Sequence, residues 1–315
     1  MSLQNVPSKI GVVGARGRLG AIILRMLERL DGVDAIAIET LPDGLDAVIN
    51  TAPLPSADLH RLALKSECHV VDVTLDGRLI REMIALHSLA QQQARCLIAM
   101  AGLAPGLTGL LARKMLTSTP NAEKVQVSLL QDSSGTAGRR GTVDMINLLT
   151  DPMCIYKNRP YPHRPGNRRS TRKLFDFYTP ELEFMVEANR IRFVTGFENG
   201  ITNSAMAALT VVRRLLPPVY RRIRDTVAAA KARRGEATAE EIELGALVFN
   251  CEDKAIAARL VRLVSDYGAT AAVACATATL AVKGLPYTGA GHLCDFFELD
   301  AILDHHLVQE QILEN

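Results

Sequence analysis

The start of the chain narrows the fold most. Lys9–Val13 (KIGVV) is a short apolar run, and GARGRLG follows at Gly14–Gly20. Leu19, Ile22, Ile23, Met26, Leu27 and Leu30 then recur three and four residues apart. A strand, a glycine turn and a helix with one apolar face form the opening of a βαβ unit. That order is also the context a dinucleotide fingerprint requires. The spacing here is G-x-x-G-x-x-G rather than G-x-G-x-x-G. In such a turn Gly14 and Gly17 let backbone amides approach a diphosphate, and Gly20 lets helix and strand pack closely. The plain alternative is an ordinary glycine turn.

The next eighty residues extend the pattern. Val33–Ile38 reads as a strand and runs into Glu39, near the distance at which a carboxylate meets the adenosine ribose hydroxyls. Ala47–Ile49 is a third strand and leads into Asn50-Thr51-Ala52-Pro53. Ala57–Lys65 is helical, His69–Val73 a strand, Leu79–Gln93 a helix, and Cys96–Met100 a strand ending at Gly102. Strands spaced by helices give a doubly wound parallel sheet, with ligands beyond the carboxyl ends of its strands. Those ends carry Gly14, Glu39, Thr51, Ala52, Asp72, Thr74 and Gly102, with Leu19, Pro53 and Leu103 beside them. The link from Glu39 to Asp46 is short. Seven extended residues span only about 23 Å, enough to recross a short strand but not to form a helix. One strand–helix unit of the usual nucleotide fold is therefore expected to be missing. Glu39 would repel a 2′-phosphate and favour NAD, whereas Arg16 and Arg18 would attract it and favour NADP. The balance leans slightly to NAD.

DAVINTAP at Asp46–Pro53, HVVDVT at His69–Thr74 and AGLAPGLTGLLA at Ala101–Ala112 resemble the saccharopine dehydrogenase superfamily, in its branch of saccharopine reductase, lysine 6-dehydrogenase and carboxynorspermidine dehydrogenase. The glycine turn itself is closer to that of dihydrodipicolinate reductase. DYGATAAVACATATLAVKG at Asp266–Gly284 and GHL at Gly291–Leu293 resemble the superfamily's terminal helix and following loop. The resemblance implies hydride transfer at a carbon bonded to nitrogen, in an amino acid or a derivative of one, and often a homodimer. In its own right, Pro105-Gly106 breaks the chain as it leaves the sheet, and Leu107–Leu116 restarts a helix.

In the second half, Val125–Gln131 alternates as a strand. Asp132-Ser133-Ser134-Gly135-Thr136 precedes a helix at Ala137–Leu149, a good anion-receiving turn. Arg139 and Arg140 fall in the first turn of that helix, where a cation is disfavoured, so either a substrate carboxylate or a surface ion pair is their expected partner. Lys157–Lys173 holds seven Lys or Arg, four Pro or Gly and no acid, and reads as a loop-rich basic excursion containing Tyr161 and His163. Arg190–Thr195 reads as a strand and Thr202–Leu216 as a helix, with Glu198 and Asn199 as its candidate caps. Arg221–Arg234 reads as an exposed basic helix. Ile242–Val264 has helical composition, yet the resemblance makes it a hairpin turning at Asn250–Lys254. The candidate proton carriers are Asp72, Asp144, Tyr267 and His292.

The architecture expected is α/β. A Rossmann-type parallel sheet lacking one unit spans 1–120, with 285–315 packing back onto it. A substrate or dimerisation domain of α+β type with a mixed sheet spans 121–284. A formal charge of +2 and 4% aromatics argue against a nucleic-acid partner. Six scattered cysteines without C-x-x-C fit a cytoplasmic chain without a zinc site, and no apolar run suits a membrane span. Two rivals stand beside the C–N oxidoreductase: a reductase of a cyclic imine, and a non-catalytic dinucleotide sensor or scaffold.

Overall fold

The computed structural model describes residues 7–132, 139–162, 170–233 and 241–313. The chain forms two compact units, Met1–Leu110 with Tyr267–Gln311 and Leu111–Asp266 with Ile312–Asn315.

The first unit opens with β1 (Ser8–Val13), α1 (Arg18–Leu27), β2 (Val33–Ile38), β3 (Ala47–Asn50), α2 (Asp58–Lys65) and β4 (His69–Asp72). It continues through α3 (Gly77–Ile84), α4 (His87–Gln92) and β5 (Cys96–Ala99), and α5 (Leu107–Ser118) leads out of it. The helix expected at Leu79–Gln93 is two helices. The chain bends at Ala85-Leu86, which brings Leu86 and Ala90 as well as Leu79, Ile80 and Met83 into the core.

The second unit contains β6 (Lys124–Gln131), α6 (Arg139–Leu149), β7 (Ile155–Tyr161), β8 (Ser170–Asp176), α7 (Glu181–Phe184), β9 (Ile191–Phe197), α8 (Gly200–Leu215), α9 (Pro217–Arg233), β10 (Ile242–Phe249) and β11 (Ala255–Leu263). Its mixed sheet has the order β11-β10-β6-β9-β8-β7, parallel only between β6 and β9. Residues 242–263 are the hairpin, despite their helical composition. Both its strands align along their length, and β10 supplies the sheet with buried Leu244, Ala246 and Val248.

The basic excursion is corrected in part. Most of 157–173 belongs to the antiparallel pair β7–β8. Its counter-charge, Asp176, lies just past the stretch that reads as acid-free, and it pairs with Arg159 and, at 3.8 Å, with Lys157. Ser133–Thr136, His163 and the side chain of Arg140 lie outside the described residues.

The chain returns to the first unit with α10 (Asp266–Lys283) and β12 (Gly289–His292). The domain division read from the sequence put residues 266–283 in the second half; the helix clusters with the first unit instead. Ala271–Ala276 are wholly buried there, with Cys275 Sγ 3.8 Å from the Ile23 carbonyl oxygen. Small side chains let this helix approach its neighbours from every side. Beyond β12, α11 (Leu293–Phe296), α12 (Leu299–Leu303) and α13 (His306–Gln309) complete the unit.

The first sheet is wholly parallel, in the order β12-β5-β4-β3-β1-β2. Its central strands bury Ile10, Val12, Val48, Ile49, Val70, Val71, Leu97 and Ile98, the near-continuous apolar pattern of strands covered on both faces. No helix lies between β2 and β3, as the length of the link requires. The chain simply recrosses to the other side of β1. β1 therefore has β2 on one flank and β3 on the other, and the order of winding reverses at its carboxyl end. In open α/β sheets, ligands bind at that reversal.

Candidate functional site

The glycine turn leaves the sheet at this reversal. Gly14 has a φ of +81°, a left-handed backbone that disfavours any other residue. A Cβ there would stand 2.6 Å from Thr51 Oγ1 and 3.1 Å from the Ala52 nitrogen, so the turn lies directly against the chain leaving β3. A Cβ at Gly20 would meet the Gly14 carbonyl oxygen at 2.3 Å, so α1 packs backbone to backbone on the turn. The Gly17 amide donates to the Gly14 carbonyl at 2.8 Å, and Gly17 caps α1 without a side-chain hydrogen bond. Gly17, having no side chain, offers α1 no side-chain cap, the condition under which a helix terminus receives an anion. Leu19 and Arg18, in this first turn, are half-buried. The three glycines let the turn, the start of α1 and the loop after β3 pack backbone against backbone, closer than side chains would allow.

Thr51 fixes the facing loop, its hydroxyl donating to the Val13 carbonyl at 2.9 Å. Behind it lies a buried polar cluster. Asn50, 1% exposed, donates from Nδ2 to the Ala52 carbonyl at 3.0 Å and to Asp72 Oδ2 at 2.7 Å, and its Oδ1 accepts from the Ala52 amide at 3.2 Å. Asp72 Oδ2 also lies 2.7 Å from His60 Nε2, and Asp72 Oδ1 accepts from the Thr74 amide at 2.7 Å. Asp72 and His60 are both 0% exposed. As a candidate acid, Asp72 is therefore sealed from solvent, and its oxygens are committed to Asn50, His60 and Thr74. What it visibly does is hold the loops after β3 and β4 in place. Neither Asn50 nor His60 stands out in the sequence; the only signal was a polar residue ending each of two apolar strands.

Glu39 is exposed at the end of β2, and its Oε1 lies 2.5 Å from Arg16 Nη2. The two residues with opposing implications for the cofactor are therefore each other's partner. Pro53 is exposed and Thr74 half-buried at the same edge of the sheet. After β5, the chain closes a tight loop in which the Leu107 amide donates to the Gly102 carbonyl at 2.9 Å, and the Leu103 amide donates to Thr270 Oγ1 at 3.3 Å. Leu103 is itself fully buried, so it packs inward and leaves only its backbone near the edge.

The other candidates lie on other elements. His292 ends β12, four strands from β1 in the sheet order, and is 4% exposed with Nδ1 3.4 Å from Asp295 Oδ2. Tyr267 is half-buried in the first turn of α10. Arg139, exposed, and Asp144, half-buried, lie on α6 in the second unit. Asn199 does cap α8, accepting from the Ile201 amide at 2.9 Å. Among the described residues there is no cluster of metal-ligating side chains, and no helix is long and apolar enough to cross a membrane.

No family model matches the chain. No curated protein matches it either. Among solved structures, a C. glutamicum DAP dehydrogenase in complex with DAP is 10% identical over 93% of this chain and 94% of that one, with a TM-score of 0.47. An engineered D-amino acid dehydrogenase bound to NADP+ is 13% identical over 92% and 94%, with a TM-score of 0.48. A dipicolinate-bound dihydrodipicolinate reductase from Paenisporosarcina sp. TG-14 is 9% identical over 91% and 97%, with a TM-score of 0.42.

Proposed function

We propose that the chain is an NAD(P)-dependent oxidoreductase acting on the C–N bond of an amino acid or an amino-acid-derived substrate, with a slight preference for NAD. One observation carries the redox reading. At the reversal of the parallel sheet, Gly14 in left-handed backbone and Gly20 packed onto it bring α1, which Gly17 leaves without a side-chain cap, against a loop that Asn50 and Asp72 hold by hydrogen bonds. The C–N chemistry rests on the resemblance of 46–53, 69–74 and 101–112. A bound nicotinamide would supply or accept the hydride. The chain's own part is to seat the diphosphate on the amides of 17–20, to bring the ribose hydroxyls to Glu39, and to exclude water from the reacting carbon. Arg139 and Arg140 are proposed to hold a substrate carboxylate. His292, Tyr267 and Asp144 are the remaining proton carriers proposed; Asp72 serves the loops. The domain roles and a homodimer belong to the same proposal.

Calorimetric titration with NADH and NADPH tests it. Wild type is expected to bind NADH more tightly. Glu39→Ala should narrow the gap from both sides, by removing a ribose partner and by freeing Arg16 to meet a 2′-phosphate. Tighter binding of NADPH to wild type would overturn the cofactor preference, and binding of neither would overturn the redox reading. Oxidation of NADH in the presence of an amine and a keto acid separates an enzyme from a sensor.

A further inference from the structure

The basic stretch at the end of α8 and along α9 plays no part in the function proposed above. From Arg213 to Arg233 the sequence holds seven cationic side chains and one acid, Asp225. Here the second unit has a cavity of about 440 Å³ lined by Asn147, Arg213, Pro217, Tyr220, Arg221 and Arg224. Residues 217, 220, 221 and 224 share one face of α9 by their spacing. That face meets the last turn of α6, the end opposite Arg139, so the cavity is separate from the carboxylate role given to that helix's start.

Its walls are fixed. Tyr220 is 4% exposed, and its hydroxyl donates to Asn147 Oδ1 at 2.9 Å and lies 2.8 Å from Thr150 Oγ1. The guanidinium groups of Arg213 and Arg224 lie 5.5 and 5.9 Å from the Tyr220 ring centroid. Arg213 donates to the Asn147 carbonyl at 2.6 Å and Arg224 to Asn147 Oδ1 at 3.1 Å. Closing the carboxyl end of α6 accounts for Arg213, and the Asn147 side chain and Asp225 account for Arg224. Neither accounts for Arg221, which is exposed on the same cavity and pairs with no acid among the described residues. Two carboxylates stand close by, Asp151 at 3.6 Å from Arg213 and Asp225 at 2.8 Å from Arg224. Three guanidinium groups against two carboxylates leave the cavity cationic, with Arg214 and Arg222 flanking it in sequence.

We propose that this cavity binds a phosphate-bearing small molecule. Guanidinium groups match phosphate oxygens two at a time, and cation–π contact with a buried tyrosine, with hydrogen bonds to Asn147, holds two of the three in place before the ligand arrives. The cavity opens to solvent, and its volume falls in the range of small-molecule sites. The inference stands independently of the dinucleotide site.

The test is calorimetric titration of the whole protein with pyrophosphate and with inorganic phosphate, each with and without saturating NADH. Pyrophosphate is expected to bind saturably, more tightly than phosphate, and to keep binding when NADH is present. Arg221→Gln, at an exposed position that tolerates the change, and Arg224→Gln should each weaken it at least tenfold and leave NADH affinity unchanged. Arg214→Gln, outside the cavity, should change it less than twofold. The proposal is overturned if wild type shows no saturable binding, if NADH abolishes it, since pyrophosphate then occupies the glycine turn, or if Arg214→Gln weakens it as much as Arg221→Gln. If NADH fails to bind while the arginine variants still lose pyrophosphate, the redox reading falls and this one stands.

Discussion

At the scale of single residues, backbone packing at the glycine turn is the sharpest constraint on the site. The obstacle to a side chain at Gly20 is the carbonyl oxygen and carbon of Gly14, at 2.3 and 2.7 Å from a Cβ. No rotamer relieves that; α1 would have to lift from the turn. Gly20→Ala is expected to cost about 1–3 kcal/mol of stability, as overpacking does. It should also raise the NADH dissociation constant at least tenfold, because the amides proposed to receive the diphosphate move with the helix. Thermal melts and calorimetry read the two effects. Gly200 is the control, since nothing lies within 4 Å of a Cβ there. Gly200→Ala should leave binding unchanged and stability equal or slightly higher. A Gly20→Ala protein with wild-type NADH affinity would show that α1 does not hold the cofactor. The glycines were legible because their spacing is local. The cluster behind them was not: Asn50, His60 and Asp72 come together only once β3 and β4 pair and α2 folds over them.

At the scale of elements, β4 and β5 are joined by only two pairs, Val70 with Leu97 and Val71 with Ile98. A side chain extends the joint: His69 Nδ1 accepts from the Cys96 amide at 3.1 Å. Only a ring with a bare Nδ1 can do so. Burial, seconded by the Arg95 charge and opposed by Asp46, pushes the His69 pKa down from 6.5 to about 4. The folded state thus favours the neutral ring. Its stabilisation is complete above pH 6.5 and is lost as pH falls from 6.5 towards 4. Urea denaturation at pH 7 and pH 5 should show wild type losing stability across that interval. His69→Gln, already weaker at pH 7, should lose less. Some slope will remain, because burial, with the His306 and Lys283 charges, also depresses His305 to about 4. Equal losses in the two proteins would remove His69 from the account.

Elements differ in how openly the sequence declares them. The strands of the first sheet are buried on both faces and so read as apolar runs, and the missing helix follows from the length of chain between β2 and β3. β12 could not be read this way. Gly289-Ala290-Gly291-His292 lacks a large apolar side chain and joins the sheet through its backbone. A Cβ at Gly289 would stand 2.6 Å from the His87 ring, so smallness is what that edge requires. β7 and β8 were obscured by their charge, which is balanced in part at Asp176; Tyr161, neutral, donates to Glu243 Oε2 at 2.8 Å, a carboxylate that stands far along the chain.

For the whole molecule, the order of the chain makes the two units unequal. The first is discontinuous: its sheet takes its last strand, and its core takes α10, from residues that follow the second unit's long segment, Leu111–Asp266. A chain ending at 266 would leave β5 as an unpaired edge, expose α1 where α10 covers it, and deprive the Leu103 amide of Thr270. Such losses are large against the ~5–15 kcal/mol by which a domain is stable. The second unit keeps all six strands within 124–263, and among its described strand pairings it loses the bridge from Leu263 to Ile312. A truncated protein of residues 1–266 is therefore expected to lose NADH binding and the cooperative melt of the first unit. Amide hydrogen exchange should still protect β6, β9 and β10 while β1, β3 and β4 exchange freely. Retention of NADH binding by the truncated chain would mean that the parallel sheet closes its core without α10, and that the proposed dinucleotide site needs only the first hundred residues that announce it.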